Sequence, residues 1–449
     1  GMSEELLQGA FLYQILDRYR PAAVVDCINT ATAFAYKNVF ESARNLLAAA
    51  RDASVTEELV ERHVLTIAMP QLIRHIQILL ESLKRSGVQA YVKIGTSGTG
   101  GMGFNIPYTH SEEKPSRTLL TKSAVAGAQT LLLFLMARTP GGPAVTEVKP
   151  TATIGWREIA YGPVMREGQA MQRYDCPEPV SVMEAFAAKP VWREVGEPLE
   201  SVYANMGENG VFARQEFETV TSLGSMELIT PEEVAEYVVM QLQGRPTGRD
   251  VIAALDSATA GPTYRAGIMR DAAIKRLAEL EGEHGVDSVA FEMLGPPRLT
   301  KLLYESFMVG RIRGSVEELA RSDAANLAAE AADWVARSEP TRSAIISVGL
   351  PIVIEGEKIY RGPRVMIPPD GGDIDTVASR GWVDLRRANM AAWIARAVRV
   401  TEQAATRDAS HRSGSDVDWG AMNPEDVIVP SRFTTWIFRH EDDGERIKR

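Results

Sequence analysis

The sequence predicts an α/β protein in which a doubly wound parallel sheet is followed by a mainly helical carboxyl-terminal region. Over the first 165 residues, short apolar runs with β-branched residues alternate with helical patterns. Such alternation is typical of parallel sheets covered on both faces. A Gly/Thr/Ser-rich loop, residues 95–103, follows one of these runs directly, where ligands bind in open α/β sheets. Beyond Gly244 the pattern is mostly helical.

Caps, helix breakers and apolar spacing place the first elements. Ser3 can cap the first helix, and Pro70 is expected to break or kink a later one. The run Leu131–Met136 is apolar on all sides, so we expect it to be buried. The predicted elements are a helix 3–19, a strand 22–28 buried on both faces, helices 34–51 and 57–85, a strand 88–94, a helix from 116 or 118 to 138, and a strand 145–154.

The pattern loosens after Tyr161. Residues 175–225 mix proline, glycine and charge without a clear period. Thr230-Pro231 then predicts a capped helix through Leu242. The later predicted elements are helices near 265–282, 315–337 and 384–405, a strand pair 344–355 and 358–360, and a mobile segment 406–418.

These patterns predict three parts. Residues 1–178, with a return segment near 226–258, form a parallel-sheet domain. Residues 179–225 form an irregular insertion, and residues 259–449 form a mainly helical domain with a short β-hairpin.

Composition restricts the partners. The net charge of -10 argues against a nucleic-acid or anionic-membrane surface, because such surfaces need clustered lysine and arginine. Cys27 and Cys176 form no disulfide framework, and the six histidines lack metal-ligand spacing, so we expect no metal site. No apolar run in the sequence is long enough to predict a membrane span. We therefore expect a cytoplasmic protein without a nucleic-acid or membrane partner; homo-oligomer formation stays open.

One glycine pattern has an obvious interpretation that its context does not support. Gly98-Thr-Gly100-Gly-Met-Gly103 matches the G-x-G-x-x-G spelling of a dinucleotide loop. A phosphate loop must lead directly into a helix, whereas Phe104-Asn-Ile-Pro107 is poor helix sequence. We therefore favour a flexible loop that needs glycine for its backbone conformation.

The segment Glu112-Glu-Lys-Pro115-Ser-Arg-Thr118-Leu-Leu-Thr-Lys122 carries a family resemblance. It resembles the active-site segment of the extended short-chain dehydrogenases/reductases, which are similar to NAD-dependent epimerases and dehydratases. In that family an acidic residue and a proline precede a helix reading Tyr-x-x-Ser-Lys. Other segments resemble family segments in the same order: residues 23–31, 148–150, 161–163 and 229–235.

The resemblance implies that residues 1–178 form a Rossmann-like domain that binds NAD or NADP, with the insertion 179–225 on the substrate side. It implies a small-molecule substrate and the transfer of a hydride to or from a carbonyl, alcohol or sugar-nucleotide carbon. Lys122 matches the lysine that lowers the pKa of the family's catalytic tyrosine and holds the nicotinamide ribose. Thr118 stands at the tyrosine position, although an aliphatic hydroxyl ionises far less readily than a phenol. Tyr108 could supply the phenol instead.

The implied site contains two groups of residues. The catalytic candidates are Lys122, Thr118, Ser97, Thr99 and Tyr108. The cofactor-binding candidates are Asn29, Thr30, Ala31, Thr96, Lys122, Lys149 and Pro150.

The resemblance begins after the family's glycine-rich phosphate loop, so we expect an amino-terminally incomplete member or one completed by another polypeptide. The first functional hypothesis is an atypical NAD(P)-dependent oxidoreductase or epimerase. The alternative is a non-catalytic Rossmann-like protein that binds a nucleotide or a partner, which Thr118 and the absent phosphate loop favour.

Overall fold

The computed structural model of the protein confirms a mixed α/β class. It divides the chain into two compact units. Unit 1 consists of Gly1–Ile106, Pro115–Ile154 and Glu227–Gly267, and unit 2 of Pro107–Lys114, Gly155–Met226 and Ile268–Arg449. The structure describes residues 3–28, 39–95, 117–150, 152–166, 168–187, 189–206, 211–222, 228–245, 250–252, 257–260, 263–291, 297–369, 373–406 and 422–441.

Unit 1 is built on a five-stranded sheet with the order Ala23–Asp26, Ala90–Ile94, Ala144–Pro150, Ser257–Ala260 and Asp250–Ile252. The first four strands run parallel to their neighbours, and the last is antiparallel. Ala152–Thr153 and Leu228–Ile229 form a separate, short parallel pair. The predicted strands 22–28 and 88–94 are confirmed with shorter bounds, and the predicted strand 145–154 is present as Ala144–Pro150, with Ala152–Thr153 in a separate pair.

Helices cover this sheet on both faces. On one face Tyr91 packs with Leu133 and Met136 of the helix Arg117–Ala137. On the other face Val92 and Val148 pack with residues of the helix Pro231–Leu242. Alternate residues of the strands therefore face two separate cores, as the period of two requires.

The helices of unit 1 follow their caps. The Ser3 hydroxyl accepts a hydrogen bond from Leu6 N, and Thr230 and Glu233 form a capping box. The described helices are Glu4–Gly9, Phe11–Tyr19, Val39–Arg51, Glu57–Val64, Ala68–Arg85, Arg117–Ala137 and Pro231–Leu242. The first part of the predicted helix 34–51 lies outside the described residues.

Several local predictions for unit 1 are wrong. The first predicted helix is interrupted at Ala10, whose backbone is extended. The break in the helix 57–85 falls before Ala68, and Pro70 lies in the first turn of the second helix, where its missing N–H costs nothing.

Two burial predictions for unit 1 are also wrong. The strand Ala23–Asp26 lies at the edge of the described sheet and is partly exposed, not buried on both faces. In the run Leu131–Met136, Leu131 and Leu135 are exposed, because only one stripe of that helix packs against the core.

Among its described residues, unit 2 combines helices with small sheets that are antiparallel except for one parallel pair, Ile352–Ile354 with Val383–Asp384. Glu200–Asn205 pairs antiparallel with Glu158–Pro163 and Val211–Phe212, and Arg193–Pro198 pairs with Gln172–Asp175. A four-stranded sheet has the order Val383–Asp384, Ile352–Ile354, Lys358–Tyr360 and Val180–Ser181. Met165–Arg166 and Gln169–Ala170 form a short antiparallel pair.

The helix Pro297–Arg313 lies at the centre of unit 2, with most of its residues buried. The remaining helices of this part of the chain are Val182–Ala185, Arg214–Val220, Tyr264–His284, Val316–Ala320, Ala324–Arg337, Glu339–Val348, Ile374–Gly381, Arg387–Thr406 and Pro430–Glu441. The boundary between the units falls within Tyr264–His284. Among the described residues, no helix has the length and apolar composition needed to cross a bilayer.

The structure corrects the prediction for unit 2 in three places. The described part of residues 175–225 contains short paired strands and the helices Val182–Ala185 and Arg214–Val220. These strands and helices are too short to give a periodic pattern in the sequence. Residues 344–348, predicted to be strand, belong to the helix Glu339–Val348, which ends at Gly349 with a positive φ of 108°. The predicted helix 315–337 is two helices separated near Asp323, which caps the second. The segment 406–418, predicted to be mobile, lies outside the described residues beyond Thr406.

Candidate functional site

Three ionisable side chains lie side by side at the carboxyl end of the unit 1 sheet. The strand register pairs Asp26 with Lys93, and Lys93 in turn with Glu147. Lys93 is 2% exposed and Glu147 is 6% exposed. We call these three residues the charged row. Buried charges of this kind require partners: Asp26 is the partner of Lys93, and the charges of Lys149 and Lys93 act on Glu147.

Asp26 and Lys93 form the first half of the charged row. The Lys93 ammonium lies 3.1 Å from Asp26 Oδ1 and donates a 2.5 Å hydrogen bond to Ile28 O. The Tyr91 hydroxyl donates to Asp26 Oδ2 at 2.6 Å. Burial, followed by the Asp26 charge, raises the pKa of Tyr91, so this phenol stays protonated and remains a donor. Burial lowers the pKa of nearby His75, although the Asp26 charge opposes that shift.

Glu147 forms the second half with a lysine and a threonine. The Thr130 hydroxyl donates a 3.2 Å hydrogen bond to Glu147 Oε1 and accepts a 2.8 Å hydrogen bond from Lys149 Nζ. The Lys149 ammonium lies 3.7 Å from Glu147 Oε2. Burial raises the pKa of Glu147, and the Lys149 charge and the Thr130 hydrogen bond oppose this shift. Glu147 can therefore take up a proton at a higher pH than an exposed glutamate.

The Glu147 carboxyl group also lies against the first residue of the glycine-rich loop. A Cβ atom on Gly95 would overlap Glu147 Oε1, and Gly95 N donates to Val148 O at 2.8 Å. Any larger residue at position 95 would therefore force the Glu147 side chain to move. The glycine-rich loop thus starts directly beside a buried, protonatable carboxyl group.

The structure describes only some of the residues that the sequence assigned to a site. Lys149 and Pro150 lie at the carboxyl end of the strand Ala144–Pro150, and both are half-buried. Thr118 and Lys122 belong to the helix Arg117–Ala137, but their side chains lie outside the described residues. The other candidates lie outside the described residues altogether: Asn29, Thr30, Ala31, Thr96, Ser97, Thr99 and Tyr108.

The charged row was not among the sequence candidates. A signal for it exists, because Asp26, Lys93 and Glu147 are charged residues inside otherwise apolar strand patterns. Within the described ranges, no group of three or more histidine, cysteine, aspartate or glutamate residues could hold a metal ion.

Unit 2 contains a second candidate site, a cleft of about 1070 Å³. We call it the unit 2 cleft. Its volume is at the upper end of the range typical for small-molecule sites. Aromatic side chains form much of its wall: Tyr161, Phe291, Tyr304, Phe307 and Trp334. Phe307 and Trp334 meet edge to face, with ring centroids 6.1 Å apart.

Charged side chains of both signs line the same cleft. Its arginines are Arg173, Arg311 and Arg337, and its acidic residues are Glu197, Glu200 and Asp287. Arg311 Nη2 lies 2.6 Å from Asp287 Oδ1, and both side chains are about half exposed. Aromatic surface beside exposed arginines can bind a ligand that has both a ring and a negative charge.

A buried ion pair fixes one wall of the unit 2 cleft. Asp175, which is 0% exposed, accepts a hydrogen bond from Arg342 Nε at 2.9 Å. Ser347 Oγ accepts one from Tyr174 N at 2.8 Å. These contacts join the strand Gln172–Asp175 to the helix Glu339–Val348, so the cleft has a preformed wall.

Comparison with known proteins gives one match. The family model described as beta-methylindole-3-pyruvate reductase C-terminal domain matches residues 173–442, which is more than half of the chain. No curated protein and no solved structure matches the chain. Apart from Tyr161, the residues that line the unit 2 cleft fall within the matched segment.

Proposed function

This chain belongs to the family of the beta-methylindole-3-pyruvate reductase C-terminal domain, and from that premise we propose that it is a reductase of aryl 2-oxo acids. The family match over residues 173–442 is the observation that carries the proposal. It supports an oxidoreductase, the class that the sequence resemblance also implied. The epimerase alternative has no support from the match.

The proposed reaction converts a 2-oxo acid into a 2-hydroxy acid. The carbonyl carbon receives a hydride and the carbonyl oxygen receives a proton, so one reduced nicotinamide and one proton are consumed for each alcohol formed. NAD or NADP is the proposed cofactor; when bound, it supplies the hydride. The protein's own residues must then orient the ketone, exclude water and deliver the proton.

The architecture of unit 1 supports the proposed cofactor. Its parallel strands are covered by helices on both faces, and in Rossmann-like folds nucleotides bind beyond the carboxyl ends of such strands. The described residues at that edge fit a polar cofactor: the Lys149 side chain keeps 24% of its surface exposed, so its ammonium can donate a further hydrogen bond. We propose Lys149 and Pro150 as cofactor contacts, together with the candidates that the sequence resemblance implied.

Lys122 is the proposed catalytic lysine, since it matches the lysine of the short-chain dehydrogenase/reductase motif. Thr118 is too weak an acid to deliver the proton alone. We therefore keep Tyr108 as the proposed proton donor, with Ser97 or Thr99 orienting the carbonyl.

Turnover of the full chain tests the proposal. The chain is incubated with β-methylindole-3-pyruvate and either NADH or NADPH, and the 2-hydroxy acid is quantified together with cofactor oxidation. We expect one alcohol for each cofactor oxidised, and Lys122→Ala should abolish turnover. Lys275→Ala, an exposed helical lysine of unit 2, is the control and should leave turnover unchanged.

The presence of Thr118 where the family motif has tyrosine favours a second candidate, a non-catalytic nucleotide-binding protein. Calorimetric titration with NADH and NADPH separates the two. Cofactor binding without any alcohol product would support the second candidate, whereas product formation would exclude it.

A further inference from the structure

Two neighbouring helices of unit 2 each present an aromatic ring and an arginine to the unit 2 cleft. Phe307 and Arg311 are four residues apart on the helix Pro297–Arg313. Trp334 and Arg337 are three residues apart at the end of Ala324–Arg337. Both spacings place the two side chains on one helix face. We infer that this doubled aromatic-arginine surface is the binding site for a planar aromatic carboxylate.

The aromatic side chains offer a place for a ring. Phe307 and Trp334 contact each other edge to face, and Trp334 is only half-buried. Tyr304 is buried beneath them and its hydroxyl donates to Ala290 O at 3.0 Å, so its polar group is already satisfied. A planar ring that enters the cleft therefore meets aromatic and apolar surface without leaving a buried donor unpaired.

The arginines offer a place for a carboxylate. The Arg311 guanidinium lies over the face of the Phe307 ring, 5.1 Å from its centre, which holds this positive charge beside the aromatic side chains. Arg311 pairs with Asp287, and Arg337 pairs with Asp333. All four side chains are at least half exposed. Exposed ion pairs of this kind are weak, so a ligand carboxylate can replace one aspartate and form a two-pronged contact with a guanidinium.

Two of the three acidic residues that line the cleft belong to strands. Glu197 and Glu200 belong to the strands Arg193–Pro198 and Glu200–Asn205, and Glu200 accepts a 3.0 Å hydrogen bond from the Tyr161 hydroxyl. Glu197 lies 3.8 Å from Arg173. The third, Asp287, is paired with Arg311 and is the carboxylate that a ligand carboxylate would replace there.

This inference rests on the proposed function, because an aryl 2-oxo acid carries both the ring and the carboxylate. It adds the place of binding and the residues that select the ligand. The residues proposed to contact the cofactor belong to unit 1, so binding at the unit 2 cleft can be measured without turnover.

The test is calorimetric titration of the full chain, without cofactor, with indole-3-lactate as the stable hydroxy acid probe. Indole-3-ethanol lacks the carboxylate and lactate lacks the ring, and we expect both to bind at least about tenfold more weakly. Arg311→Gln and Trp334→Leu should each weaken indole-3-lactate binding by about tenfold or more. Arg321→Gln is the control, since this exposed arginine also pairs with an acidic residue of its own helix but does not line the cleft.

The outcomes separate this inference from the proposed function. Equal affinity of the wild type, Arg311→Gln and Trp334→Leu for indole-3-lactate, with unchanged circular dichroism, would overturn the binding site even if the wild type reduces β-methylindole-3-pyruvate. Absence of indole-3-lactate binding would overturn it as well. Loss of binding in both variants without any reductase activity would support the site while the proposed reaction fails.

Discussion

Replacing Lys93 by methionine removes a buried ammonium but keeps a side chain of similar length. In the folded chain the ammonium pairs with Asp26 and donates to Ile28 O. Removing one partner of a buried ion pair typically costs about 3–5 kcal/mol. Asp26 keeps 14% of its side-chain surface exposed and still accepts from Tyr91, so we expect the lower end, about 3 kcal/mol.

Hydrogen exchange measured by mass spectrometry is the suitable assay, because the two units can unfold separately and a single transition would then mix them. The opening free energy of the strand Ala90–Ile94 should fall in Lys93→Met. Arg62→Gln, which removes an exposed ion pair with Glu58 in the same unit, is the control and should leave that free energy unchanged.

A double-mutant cycle sharpens the test. Asp26→Asn alone leaves Lys93 without its carboxylate, and the double variant leaves neither charge. The two losses should therefore be less than additive, with a coupling of about 1–3 kcal/mol. A loss below about 1 kcal/mol in Lys93→Met, the size expected for an exposed pair, would refute the reasoning that the charged row is a mutually compensated buried network.

Three further predictions concern side chains near the two candidate sites. Because burial raises the pKa of Glu147 above its ordinary 4.5, the folded chain holds this proton more tightly, so the opening free energy of unit 1 should fall as pH rises from about 4.5 through the raised pKa. Glu147→Gln should flatten that slope in hydrogen exchange at several pH values, and an unchanged slope would contradict the assignment. Gly95→Ala should destabilise unit 1, since its Cβ would overlap Glu147 Oε1. The added change Glu147→Ser should recover part of the loss in hydrogen exchange, and no recovery would exclude the overlap as its cause. Asp175→Ala should lower the stability of unit 2 by about 3–5 kcal/mol because Arg342 is left buried without its carboxylate partner. Arg193→Gln, which removes only the exposed partner of Asp175, should have little effect, and equal losses in hydrogen exchange of unit 2 would contradict this account.

Three strands of unit 1 could be predicted from the sequence because their apolar runs are short, continuous and bounded by turn residues. The strand Ala90–Ile94 and the helix Pro231–Leu242 both follow from such local signals. The strands Asp250–Ile252 and Ser257–Ala260 of the same sheet were not predicted. The short strands of unit 2 could not be predicted in this way. Val180–Ser181 and Val211–Phe212, for example, are defined by their partner strands and not by any local period.

The charged row could not be predicted from local patterns for a related reason. Asp26, Lys93 and Glu147 are far apart in the sequence, and the strand register brings them together. The doubled aromatic-arginine surface of unit 2 likewise depends on the packing of two helices, of which Pro297–Arg313 was not predicted. Among the predicted site residues, Lys149 lies near the carboxyl end of the strand Ala144–Pro150, where its ammonium contacts Thr130 and Glu147.

The most direct test of the proposed reductase is transfer of isotope from cofactor to product. The full chain is incubated with β-methylindole-3-pyruvate and with NADH or NADPH that carries deuterium at the hydride position, and the product is examined by mass spectrometry. We predict a 2-hydroxy acid with one deuterium on the alcohol carbon. Failure to form the alcohol, or an alcohol whose carbon carries no deuterium, would contradict the proposal.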